Sequence, residues 1–197
     1  HQEQLKNKLV YHGATDKSQI SFRYNAKITK TLSTSLEKLN SIRDIVRFEY
    51  EQLGSELRLV VLTDYIRKEF LANTPVNDMK LSKFGVMPVF EKLRRENKQD
   101  MRIGVLTGAV VIIPAIALPE LERLAGKRGI ENISYSPLPY DNAYLQISLT
   151  EGIKNEVVKI VTDLFQQGGI EVLVGTKSLL GEGWDAPALN SLILASF

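Results

Sequence analysis

Residues 172–196 read VLVGTKSLLGEGWDAPALNSLILAS. One apolar run climbs to Gly175-Thr176, and a second climbs away from Asp185-Ala186-Pro187. Between them lie two glycines, two charges and the only tryptophan of the chain, Trp184. Two buried strands around a glycine-containing turn predict a ligand at that turn, because glycine lets a backbone approach its partner without a clashing Cβ.

Upstream of this stretch, GIKNEVVKIVTDLFQQGG (152–169) has the apolar spacing of an amphipathic helix, and Gly168-Gly169 stop it. The same order, helix then short apolar strand, recurs towards the N-terminus. SLEKLNSIRDIVRFEYEQL (35–53) predicts a helix, with Thr34 and Glu37 at capping-box spacing and Gly54 as its stop. LRLVVL (57–62) then ends in Thr63-Asp64, with Asp64 placed to cap a helix over YIRKEFLA (65–72). FGVMPVFEKLRREN (84–97) predicts the next helix and MRIGVL (101–106) the next strand, which ends in Thr107-Gly108. In EKLRRENK, Arg94, Arg95 and Lys98 read as a solvated helix end favoured by the dipole. The fold class expected is α/β, with strands 57–62, 101–106, 170–174 and 191–195 parallel and their polar turns on one edge.

Residues 109–149 are less regular and read as an insertion. PELERLAG (119–126) predicts a short helix with Pro119 in its first turn and Gly126 beyond its end, and AYLQISL (143–149) alternates like a strand. ISFRYNAKI (20–28) alternates strictly and predicts a half-buried strand.

The chain has 197 residues, 44% of them hydrophobic, enough for one domain with a substantial core. Its net charge of +2 neither demands nor excludes a nucleic-acid partner. With no cysteine there is no disulfide, no thiolate zinc site and no thiol nucleophile. No apolar run approaches the roughly 20 residues of a membrane span. HQEQLKNK at the start has neither an initiator Met nor a signal-peptide centre. The expectation is an intracellular protein, cytoplasmic or nucleoid-associated, cut from a longer polypeptide.

IEVLVGTKSLLGEGWDAPALNSLILAS resembles the fifth motif of superfamily 2 helicases and translocases, the DEAD/DEAH-box relatives. LRLVVLTDYI looks like their fourth motif, and RIGVLTG like the strand that follows it, in family order. The resemblance implies a second RecA-like domain over 35–197, incomplete at its C-terminus, behind a 1–34 segment that is a linker or extra strand. The arginine-rich sixth motif would follow the strand SLILAS.

Within these residues there is no G-x-x-x-x-G-K-[ST] phosphate loop and no Asp-Glu pair for Mg²⁺. Both belong to the first RecA-like domain in that family, the partner the resemblance implies. ATP and Mg²⁺ are therefore expected in the intact parent, with neither tightly bound to this chain alone.

By resemblance, Gly183, Asp185 and Glu182 face the nucleotide. Thr176, Thr63, Gly108 and Lys177 contact the phosphate backbone of DNA or RNA, contacts that hold register without reading sequence. The alternatives from the residues alone are plainer. Asp185 caps its own turn, Thr63 and Gly108 serve ordinary strand-end turns, and Glu182 is a solvated charge. Trp184, between Gly183 and Asp185, is expected to pack inward rather than stack on a base. The rival to a motor domain is a non-catalytic α/β module that binds nucleic acid or protein on the same fold.

Overall fold

The computed structural model describes residues 15–16, 19–20, 36–130, 133–150, 152–178 and 184–195. Two short strands, β1 (Thr15–Asp16) and β2 (Gln19–Ile20), pair antiparallel with each other. The strand expected over 20–28 lies outside the described residues apart from Ile20, and Thr34 of the expected capping box lies outside them too.

Helix α1 (Leu36–Leu53) buries Leu39, Ile42 and Val46, spaced three and four residues apart. It ends at Gly54, whose φ of 54° a side chain would resist. Strand β3 (Leu59–Thr63) follows, buried along its whole length.

No α-helix forms over 65–72; that segment holds only a 3₁₀ turn at Lys68–Phe70. Arg67 adopts a left-handed conformation (φ 60°), which interrupts any helix there. The Tyr65 and Ile66 carbonyls instead accept from the Val86 and Met87 amides, at 2.8 and 3.0 Å. They thereby cap helix α2 (Val86–Arg95).

Strand β4 (Ile103–Leu106) turns through Thr107 to Val110 straight back into β5 (Val111–Pro114), antiparallel to it. The Thr107 hydroxyl ties this turn, accepting from the Val110 amide at 2.8 Å. Helix α3 (Leu118–Lys127) then leads to the hairpin β6 (Tyr135–Leu138) and β7 (Asp141–Ile147). Gly126 lies inside α3; the left-handed glycine that follows the helix is Gly129 (φ 72°). Helix α4 (Lys154–Gln166), strand β8 (Val172–Thr176) and strand β9 (Ser191–Leu194) complete the described chain.

The fold is α/β. Among the described residues, one mixed sheet of seven strands has the order β6-β7-β5-β4-β8-β3-β9. Its β4-β8-β3-β9 part is parallel, as expected from the four apolar runs, with Val61 beside Val174 and Ile193. The 109–149 insertion supplies the rest: β5, β7 and β6 extend the sheet antiparallel beyond β4. A parallel centre flanked by helices is consistent with a RecA-like α/β fold.

The helices divide between the two faces of the sheet. Val86, Met87 and Phe90 of α2 join the α1 residues in a core against Leu59, Val61, Val105, Val172 and Val174. On the other face Leu121 of α3, with Val157, Ile160 and Leu164 of α4, packs against Val60, Leu62, Leu106 and Leu173. Covering both faces explains why these strands read as continuous apolar runs rather than alternating ones. Among the described residues no helix is long and apolar enough to cross a membrane.

Candidate functional site

Parallel strands end together, so β3, β4 and β8 deliver their last residues to one carboxyl edge. Thr63 and Thr176 are register partners there. Gly108 lies two residues beyond Leu106, which pairs with Gly175. The sheet thus brings together four residues expected to meet phosphate: Thr63, Gly108, Thr176 and Lys177.

Their surroundings differ. Thr63 is fully buried, and its hydroxyl donates to the Tyr65 carbonyl at 3.2 Å, so the strand-end turn uses it. Thr176 shares a 2.7 Å hydrogen bond with the Ser178 hydroxyl. Gly108 is exposed, and a Cβ built there would meet the Lys154 ammonium at 3.6 Å. The Lys177 amide donates to the Thr63 carbonyl at 3.0 Å, which ties β8 to β3 beyond their last pair. Its ammonium lies 2.8 Å from the Asp64 carboxylate, with 46% and 35% of the two side chains exposed. Asp64 therefore pairs across the edge instead of capping a helix.

Helices bring two further cations to this edge. Because α1 runs back along the sheet before β3, its first turn lies above the carboxyl edge. There the Lys38 ammonium sits 4.4 Å from the centre of the Phe84 ring. Burial lowers the Lys38 pKa, the Asp64 carboxylate opposes that shift, and Lys177 reinforces it. Lys154 opens α4 beside Gly108. Neither lysine carries a local sequence signal for this role, since tertiary packing alone places it next to the strand ends.

Of the nucleotide-facing set, Asp185 alone lies among the described residues. Glu182 and Gly183 lie outside the described residues. Asp185 is exposed and follows Trp184, which packs inward as expected. The Trp184 indole N–H donates to Thr162 Oγ1 at 2.7 Å, and its ring lies 6.2 Å from that of Phe165. Thr162 lies eight residues along α4 from Lys154, or about 12 Å at the helical rise. Trp184 thus anchors this segment against the second half of α4. Among the described residues no group of three or more His, Cys, Asp or Glu is arranged to hold a metal ion. No residue described is therefore assigned to Mg²⁺.

Of the basic run, Arg94 and Arg95 on α2 are tied to a buried acid, whereas Lys98, beyond the helix, is exposed as expected. Glu91 is fully buried and accepts from Arg94 at 2.8 Å, Arg95 at 3.1 Å and the Tyr140 hydroxyl at 3.0 Å. Arg94 also reaches Asp141 at 2.8 Å, which fastens α2 to the β6–β7 hairpin. Burial alone would lower the Arg94 pKa, but Glu91 and Asp141 outweigh it and hold it above its ordinary value.

A second basic region lies near the opposite end of the sheet. It is a cleft of about 480 Å³ lined by Arg43, Arg47 and Lys98 together with Asp44 and Glu96. Its arginines are already paired, Arg43 with Glu96 at 2.7 Å and Arg47 with Glu51 at 2.9 Å.

No protein-family model, no curated protein and no solved structure matches the chain.

Proposed function

We propose that the chain is the C-terminal motor domain of an ATP-dependent nucleic-acid helicase or translocase. Its carboxyl edge binds the phosphate backbone of DNA or RNA. The observation that carries this reading is the convergence of Thr176, Lys177, Gly108 and Lys154 at the ends of parallel strands. Small residues, hydroxyls and ammonium groups on one rigid edge suit a repeating anion and offer no base-reading surface. Asp185, exposed beside Trp184, is assigned to the nucleotide cleft formed with the first RecA-like domain of an intracellular parent. ATP chemistry belongs to that cleft, because these residues include no phosphate loop.

The test is fluorescence anisotropy with a labelled single-stranded oligonucleotide, across a salt series because phosphate contacts release counterions. The chain is expected to bind weakly and with marked salt dependence. Lys177→Gln should weaken binding, and neither protein should turn over ATP. Binding that salt leaves unchanged, or that Lys177→Gln and Lys154→Gln both leave unchanged, would remove the assignment of this edge.

A further inference from the structure

The ion pair at the carboxyl edge is built by the sheet. Asp64 follows Thr63 and Lys177 follows Thr176, and those threonines are register partners on adjacent parallel strands. The hydrogen bond from the Lys177 amide to the Thr63 carbonyl fixes the two backbones at that level. Their side chains therefore meet at 2.8 Å, partly exposed, in the surface that would face a phosphate. Lys38 adds a second ammonium, and its titration responds to both Asp64 and Lys177.

We propose that Asp64 is a built-in competitor for the phosphate backbone. It occupies Lys177 until a nucleic-acid strand displaces it, and so sets the affinity of the edge. This rests on the nucleic-acid reading above.

The physical logic is exchange. A phosphodiester that engages Lys177 must replace a carboxylate already in hydrogen-bonding distance, so part of its electrostatic gain is offset. It must also approach the negative charge of Asp64 itself. Removing that carboxylate releases Lys177 from its ion pair and leaves its ammonium open to the strand. A partly exposed pair is worth about 0.2–1 kcal/mol, which corresponds to a gain of roughly 1.5- to 5-fold in strand affinity. A weakened edge of this kind suits a protein that must release its grip after each step.

The experiment measures oligonucleotide affinity of the full chain for wild type, Asp64→Asn, Lys177→Gln and the double variant, at several salt concentrations. Asp64→Ala serves as a second form of the substitution, and thermal denaturation checks that each variant is folded. Glu56→Gln, an exposed acid near the opposite ends of the strands, controls for the loss of one negative charge anywhere on the molecule. Asp64→Asn should bind more tightly with a steeper salt dependence, and most of that gain should vanish in the Lys177→Gln background. Equal gains with and without Lys177, or an equal gain from Glu56→Gln, would overturn the proposal while leaving the nucleic-acid reading in place. No binding by any variant would overturn both.

Discussion

Thr63 and Thr176 occupy the same level on neighbouring strands, yet their hydroxyls have different duties. That of Thr63 is sealed inside and holds the Tyr65 carbonyl. Thr63→Ala should therefore lower stability by about 0.5–1.5 kcal/mol in urea denaturation and leave strand affinity unchanged. Thr176 meets Ser178 at the edge, so Thr176→Ala should instead weaken strand binding by about the same amount. A parallel measurement of denaturation and anisotropy separates the two. Glu91→Ala should be the most damaging single change at this scale. It strips a fully buried carboxylate from two arginines and a tyrosine, and should cost about 3–5 kcal/mol in the same denaturation assay. This network was not legible in the sequence. Arg94 and Arg95 look like any basic helix end, and Tyr140 and Asp141 lie too far along the chain to show as their partners. Asp64 misled for a similar reason: its partner Lys177 is brought close only when β3 and β8 pair.

At the scale of elements all four helices were expected, α1 and α4 from their hydrophobic period and α3 from Pro119 in its first turn, and each buries one face against the sheet. The four parallel strands were legible as apolar runs; β3, β4 and β8 are buried on both faces, whereas the edge strand β9 exposes Leu192 and Leu194. Strand β5 was not legible, since it starts immediately after a Thr-Gly turn that reads as a site. Strand β6 was hidden by Pro137, which an edge strand tolerates because one side needs no ladder partner. The helix expected over 65–72 failed because tertiary demand overrode propensity: the Tyr65 and Ile66 carbonyls are needed at the start of α2. The stop of α4 was read correctly at Gly168, where φ is 84° and a Cβ would collide with the Arg58 guanidinium. Gly168→Ala should therefore destabilise the fold by about 1–3 kcal/mol, measured as a shift in the urea midpoint at unchanged slope.

At the scale of the molecule, the insertion is welded to the parallel centre rather than appended to it. The Tyr144 ring of β7 meets Phe90 of α2 edge-on, with centroids 5.2 Å apart. Burial pushes the Tyr144 phenol up to about 12, from an ordinary value of 10.0. A raised folded-state value means that this stability is complete below about pH 10 and is lost as pH climbs towards 12. The loss from this one group is roughly 2–3 kcal/mol. Tyr144→Phe should flatten the fall in stability over that window in a pH series of denaturation curves. Parallel strands with a common carboxyl edge could be expected from the sequence, but the lysines of α1 and α4 that complete the edge could not. Under the proposed function nucleic acid binds there and not at the paired basic cleft near the other end. Amide chemical-shift mapping by NMR, during titration with a single-stranded oligonucleotide, tests it most directly. The largest shifts should fall on Gly108, Lys154, Thr176 and Lys177. Shifts concentrated on Arg43, Arg47 and Lys98, or absent at saturating oligonucleotide, would contradict it.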